Sequence, residues 1–344
     1  EVGGSVVRLP APRGIDPPTL LRDDNTVRRS FTPLVRTYGT VPYRDLDPTV
    51  PSALAYVLMF GMMFGDAGHG LLVLILAALL WSGRVRWLAR WRSIWPFVAG
   101  AGATSTIFGV LYGEFFGPTG VIPVLWLSPL DQPVPLLAAG IGVGAVLLAV
   151  AYGIGVYNRW REGGLAMALY SSSGVAGTAL FLGFGAVAAG IYLHGPVWMI
   201  AGVLLVVAGL GLATIGLAAE SPGGGSGAMT VVIGLLDLII RLGSNVVSFA
   251  RLAAFGLTHA ALAMLFWRGT VALAPHGPLG VISAAVLFIL GTAVACSLEA
   301  LVAGVQAMRL EYYELFSRVF ETEGRPFQPW HVPLARPAGE ESTR

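Results

Sequence analysis

The sequence predicts an all-α polytopic membrane protein with about eight transmembrane helices, the last two long and strongly tilted. Composition is the first reason: 55% of the residues are hydrophobic and 12% charged, and the mean hydropathy is +0.74. A soluble chain carries about 25% charged residues, and half that amount cannot cover a compact body in water, which excludes a soluble enzyme. Charge placement is the second reason. Residues 1–51 hold seven Arg and six acids, whereas 52–318 hold only eleven Arg and nine acids, clustered between long apolar runs. The chain therefore divides into a polar arm (1–51), a transmembrane domain (52–318) and a polar tail (319–344).

A bilayer core takes roughly 20 apolar residues per helix, and the apolar stretches are 52–81, 94–116, 134–157, 165–193, 197–219, 228–267 and 279–317. The connectors carry helix breakers: Pro118, Pro123, Pro129 and Pro133 in one, Gly195-Pro196, Ser221-Pro222-Gly223, and Pro275 with Pro278. Arg84, Arg86, Arg90 and Arg92 crowd one loop and Arg159 and Arg161 mark the connector 158–164. Such loops stay cytoplasmic, and alternation then puts the tail on the same side. The arm, with its own seven Arg, belongs there too. That requires stretch 52–81 to enter and return as two short helices, broken in the glycine-rich run Gly61 to Gly70. The last two stretches are too long for a perpendicular crossing: 228–267 as one helix is about 60 Å against a core of about 30 Å.

An ionisable residue at bilayer depth costs at least ~2.5–3.5 kcal/mol, so each one asks for a reason. Stretch 228–267 holds Asp237, Arg241, Ser244, Ser248, Arg251, Thr258 and His259. On an ideal helix these occupy an arc of roughly 100°, which predicts a wet or partner-facing stripe. Arg251 sits too deep to snorkel easily and cannot become neutral; its structural alternative is an Arg that caps backbone carbonyls or pairs with Asp237 or Glu299. In stretch 279–317, Thr292, Glu299, Gln306 and Tyr313 recur every seven residues as a polar seam, with Arg309 roughly 15 Å along from Glu299. Glu299 is a candidate proton relay or a neutral, hydrogen-bonded interface residue. Asp66 and His69 flank the glycine-rich break, and Glu114 ends the second long stretch. His69 reads equally as structural, and Glu114 equally as an interfacial anchor.

Other signals exclude whole classes of chemistry. Gly140, Gly142 and Gly144 lie within a membrane stretch and make no nucleotide fingerprint. The chain contains no Lys, so it has no Walker-type loop. Five dispersed His and the single Cys296 predict neither a metal set nor a disulfide. A net charge of +2 without a basic patch predicts no nucleic-acid partner. Residue 1 is Glu and no signal pattern precedes the first apolar run, so the chain is expected to be part of a longer polypeptide.

The motifs carry a resemblance. They are Pro17-Pro18-Thr19-Leu20, Phe31 to Tyr38-Gly39, Pro42-Tyr43 and Asp47-Pro48-Thr49; the run Phe60 to Gly70 ending Phe-Gly-Asp-x-Gly-His-Gly; Phe108-Gly109 to Glu114; Ser244-Asn245 to Leu252 with His259-Ala260; and Ala307-Met308-Arg309-Leu310 running to Phe327 and Pro329. Together they resemble the membrane domain of the V-type/A-type rotary ATPase stator subunit, called subunit a in eukaryotes and subunit I in prokaryotes. One local departure is Phe249-Ala250, where the family commonly has Tyr and a bulky apolar residue.

The resemblance implies a non-catalytic subunit with eight helices and both ends cytoplasmic, in a prokaryotic plasma membrane. It implies no cofactor, and as partners membrane lipid, a rotating proteolipid ring and the peripheral and central stalk subunits. It also implies proton translocation through two offset half-channels, with Arg251 as the essential arginine and Arg309 as its companion. His259 and Glu299 match polar positions associated with the proton path, and Asp66 and Glu114 match further positions of the family. Asp237, Ser248 and Gln306 complete the candidate set. The competing reading is a self-contained secondary ion or solute transporter, which would be expected to show paired broken helices in two related halves. A scaffold without transport leaves Arg251 unexplained.

Overall fold

The computed structural model describes residues 26–42, 45–221 and 225–320, and over these residues it is helical without a strand. Motif residues Pro17 to Leu20, Tyr43, Phe327 and Pro329, and nearly all of the tail, lie outside the described residues. Ten helices make the framework: α1 Thr26–Tyr38, α2 Thr49–Met63, α3 Ala67–Ser82, α4 Trp95–Tyr112, α5 Pro133–Tyr170, α6 Val175–Tyr192, α7 Pro196–Glu220, α8 Gly225–Ser248, α9 Ala250–Leu273 and α10 Gly277–Leu310. Their ends follow the chemistry of the termini. Proline opens α4, α5, α7 and α10, where its missing N–H costs nothing, and a left-handed glycine closes α3 and α4 at Gly83 and Gly113.

Among the described residues, six helical runs are long and apolar enough to cross a membrane: Ala89–Tyr112, α5, α6, α7, Ser226–Leu273 and Gly277–Val319. Two shorter apolar helices, α2 and α3, precede them. The break expected inside 52–81 falls at Phe64–Asp66. Among the membrane-length runs, the window in Ser226–Leu273 has only 11% of its residues buried, and α8 presents most of its apolar surface outward, whereas α9 buries Leu252, Ala253, Gly256, His259, Ala260 and Ala263. Small residues let the remaining helices pack closely: α6 and α7 form the tightest pair, α3 lies along α4, and α9 pairs with α10.

Three expectations need correction. The connector 158–164 is not a loop: α5 runs through it and is interrupted only at Gly164 (φ 72°, ψ −160°), leaving a short helical turn before Ser171. Arg159 there is buried and paired with Glu162 at 2.7 Å, one turn on, so its charge is met inside the helix. Stretch 228–267 is not one uninterrupted helix, because α8 ends at Ser248 and α9 begins at Ala250. The single polar stripe therefore splits: Asp237, Arg241 and Ser244 are exposed, whereas His259 is buried. Finally, Gln306 is partly buried but Tyr313 is 69% exposed. The chain passes from α10 into a π-helical turn at Glu311–Phe316, whose wider pitch takes Tyr313 out of the seven-residue register and turns Glu314 inward.

The described part of the arm lies on the helical body. Phe31, Leu34 and Val35 form the buried face of α1, Ser30 Oγ donates to the Ser93 carbonyl, and Tyr312 Oη donates to the Leu34 carbonyl at 2.9 Å. Asn158 of α5 joins both ends of the body. Its side-chain oxygen accepts from Leu46 N at 3.0 Å, and its amide donates to the Val319 carbonyl at 3.3 Å.

At this junction Asp45 is 2% exposed. Burial, and then the neighbouring Glu162, push its carboxyl up to about 7, against the opposing pull of Arg159 and Arg161. The folded protein thus binds a proton at Asp45 that the unfolded chain releases near 3.8. Stability falls as pH rises between those two values and stays lowered above them. Asp45→Asn is expected to raise the melting temperature of the detergent-solubilised protein at about pH 8 and to leave it nearly unchanged at about pH 4.

Gly109 of α4 sets a second constraint. A Cβ there would stand 2.0 Å from Ala67 N and 2.4 Å from Asp66 C, so backbone meets backbone with no side chain able to give way. Gly109→Ala is expected to cost about 1–3 kcal/mol or more by overpacking, read as a lower melting temperature and reduced yield of folded protein.

Candidate functional site

Two polar groups of residues sit at different levels of the same helix pair. The inner one begins where α2 breaks from α3. Asp66 is the N-cap of α3, and its carboxylate accepts three backbone N–H groups: His69 at 2.9 Å, Phe116 at 3.0 Å and Gly117 at 2.6 Å. The return bond, Ala67 N to the Glu114 carbonyl, is 3.0 Å. These contacts join the start of α3 to the turn after α4, and they fix His69 and Glu114 near each other.

Helix α9 brings His259 to this place. The His69 and His259 rings stand 5.4 Å apart at 78°, with Phe64 edge-on to His259 at 5.0 Å and Phe116 edge-on to His69 at 5.3 Å. His259 Nδ1 meets Glu299 Oε2 of α10. Asp66, His69, Glu114 and His259 are each at most 3% exposed. The dispersed-histidine reading is thus corrected at two positions, since the fold places Asp66, His69 and His259 with ligand-type atoms within 4.8 Å of one another. Beside the group lies a cavity of about 610 Å³, lined by Tyr112, Glu114, Asp131, Trp267 and Arg268 among others.

The outer group holds the arginines. Arg251 is half-buried and Arg309 exposed; the charges nearest Arg251 are Arg309 and Glu314. Neither structural pairing considered for Arg251 forms: Asp237 bonds Arg241 at 2.8 Å, and Glu299 is taken by His259. Asn245, oriented so that its amide is satisfied, donates to Glu314 Oε2 at 2.8 Å and to the Arg241 carbonyl at 3.0 Å, and accepts from Arg318 Nη2 at 2.8 Å. Arg318 lies over the Tyr152 ring at 5.3 Å. Ser248, at the end of α8, stands beside Glu314. A second cavity, of about 530 Å³, is lined by Ser171, Glu220, Asp237, Arg241 and Arg318 among others. It lies at the end of α5, and the first lies at the end of α4, so the two are at opposite ends of the helical body.

The two levels follow from α9 and α10 running antiparallel as neighbours. Eight residues along α9 separate Arg251 from His259, and ten along α10 separate Glu299 from Arg309, which is roughly 12–15 Å in each case. Gln306 lies between the levels, its Oε1 buried without a hydrogen bond. Sequence reading missed Glu314, although Glu311-x-x-Glu314 places two carboxylates in a run otherwise read as apolar. That cost was the available signal. The π-helical turn that aims Glu314 inward had no sequence signature.

Comparisons with known proteins place the chain in a family. The profile of the V-type ATPase 116kDa subunit family matches residues 6–118 and 228–332. Those segments include α1–α4, α8 from residue 228 onward, α9 and α10, hence every residue of the two groups apart from Tyr152 and the rims of the cavities. The chain is 29% identical over 370 residues to the A-type ATP synthase subunit I of Archaeoglobus fulgidus, covering 92% of this chain and 53% of the relative. It is 28% identical over 316 residues to that of Pyrococcus horikoshii, covering 87% and 45%. A shorter match to the V-type ATP synthase subunit I 2 of Treponema pallidum reaches 42% over 113 residues, covering 33% of this chain and 24% of the relative. The chain spans about half the length of the first two relatives. Helices of membrane-spanning length, a buried acid–imidazole group and the two-segment family match lead to one assignment: this chain belongs to the V-type ATPase 116kDa subunit family.

Proposed function

We propose that this chain is the stator-side, ion-translocating part of a V/A-type rotary ATPase or ATP synthase, passing protons between two offset half-channels against a rotating proteolipid ring. The observation that carries the reading is the two-level arrangement on α9 and α10. The arginines lie outward at one level, and the His259–Glu299 pair is buried at the other. The cavities at opposite ends of the body supply the two aqueous approaches. One reaches Asp237 and Arg241 from the side of the arginine-rich loops. The other reaches Glu114, with Asp66, His69, His259 and Glu299 beyond it. On this reading α2 and α3 complete eight crossings, and the outward faces of α8, α9 and α10 tilt to follow the ring. Both ends of the chain face the cytoplasm of a prokaryote, and the stalk subunits attach outside the bilayer.

The chemistry needs a carboxylate on the ring. Facing lipid, that group must be neutral, because a bare charge in hydrocarbon is costly. Brought beside a permanent cation, its ionised form is favoured and it releases its proton. Arg251 supplies the cation and cannot itself deprotonate; it also keeps protons from passing straight between the half-channels. His259 and Glu299 then hand the proton along the buried route, and Gln306 and Ser248 offer hydrogen bonds beside the ring-facing level. Direction is set by the proton-motive force or by ATP hydrolysis in other subunits, and this chain cleaves nothing.

Arg251→Ala is expected to abolish ATP-driven acidification of vesicles while the complex still assembles, and Arg251→Lys to be severely impaired because a desolvated Lys can lose its proton. Normal pumping by the assembled Arg251→Ala complex refutes the mechanism. Glu299→Gln is expected to slow proton flux in reconstituted vesicles by about 100-fold, the lower end for a positioned proton carrier, with assembly intact. Unchanged flux makes Glu299 a packing residue.

A further inference from the structure

We infer that Asp66, His69 and His259, with Glu299 as fourth member, form a binding site for one divalent transition-metal ion of the zinc class. The three residues are buried, and their ligand-type atoms lie within 4.8 Å of one another. Four-coordinate zinc, with bonds of about 2.0–2.1 Å, sets its ligand atoms roughly 3.3 Å apart. The shortfall of roughly 1.5 Å is within reach of imidazole rotation.

The donor atoms are available. Both nitrogens of His69 are buried without a hydrogen bond, and so is Nε2 of His259. Nδ1 of His259 faces the Glu299 carboxylate, the arrangement in which a carboxylate orients an imidazole so that its other nitrogen meets a metal. Asp66 Oδ1 receives two N–H groups and Oδ2 one. Of the roughly four lone-pair directions of a carboxylate, one on Oδ2 stays open, while the backbone bonds hold the group in place.

Charge and donor type select the ion. Two carboxylates balance one dication, so the buried assembly is neutral and the cost of a desolvated charge is avoided. Two imidazoles disfavour Ca²⁺ and Mg²⁺, which take six or more oxygens, and favour Zn²⁺, Co²⁺, Ni²⁺ or Cu²⁺. The nearest access is the 610 Å³ cavity, which Glu114 lines. If the proposed function holds, an ion seated here occupies the proton route itself, so zinc added on the side of that cavity stops transport and zinc on the arginine-loop side does not.

The test uses the whole complex, purified in mild detergent with a histidine-free tag, stripped with EDTA and titrated with Co²⁺. One equivalent per copy of this chain is expected to give the intense visible bands of tetrahedral cobalt, displaced by Zn²⁺. His69→Ala and His259→Ala are each expected to weaken binding by more than about 10–100-fold, the effect of losing even an outer partner of a ligand. A tetrahedral signal that is missing, or unchanged in both variants, overturns the site. X-ray absorption of the zinc-loaded unmodified complex needs no variant. Scattering from two imidazoles supports the site, and a shell of oxygens alone overturns it. Cobalt bound here with proton flux undisturbed keeps the site and removes the cluster from the proton route. No cobalt bound, with Glu299→Gln still slow, does the reverse.

Discussion

The carboxylate of Asp66 organises the interior of this protein. A helix break inside an apolar run leaves N–H groups that neither lipid nor a neighbouring helix can satisfy, and each such group costs several kcal/mol. One fully buried side chain takes three of them, from the first turn of α3 and from the turn after α4. The break between α2 and α3, the close approach of Gly109, and the position of His69 all depend on that acceptor. Asp66 therefore shapes the chamber first, and has one lone-pair direction left over for any other task.

Most of the architecture was legible because membrane helices write their length and apolarity into every residue. The break near Asp66, the limits of α7 and the deep polar residues followed from composition, proline and glycine alone. The missing parts were those in which a backbone feature overrides spacing. Arg159 looked like a loop marker because its partner Glu162 lies one helical turn away, a pairing that lets a helix continue through a charged patch. The stripe on 228–267 assumed one uniform helix, and the discontinuity at Phe249 breaks that assumption. Phe249 is fully buried, and a Cβ at Gly144 would come within 2.1 Å of its ring. Gly144 thus serves a ring from another helix, a role that the run Gly140 to Gly144 does not advertise.

The candidate site was legible as a set of expensive residues and illegible as a geometry. Arg251, Arg309, His259 and Glu299 stood out by cost, but their sorting into two levels required knowing that α9 and α10 run antiparallel side by side. The approach of His69 to His259 was invisible for a different reason: 190 positions separate them, and nothing local marks either as facing the other. Glu314 was hidden by the turn that carries it. An α-helix would have sent it elsewhere, and the π-helical turn places it against Asn245 and near Arg251.

Asn158 gives the structure a mechanical property. Its one amide holds the backbone at residue 46, 112 positions away, and at residue 319, 161 positions away. The segment leading into α2 and the end of the described chain are thus tied to one point of α5, in addition to the bonds that hold α1 to Ser93 and Tyr312. A displacement of residue 46 or of residue 319 is therefore resisted at the same point on α5. Two segments far apart in the chain thus share one hinge-resisting amide, and loss of that amide would loosen both at once.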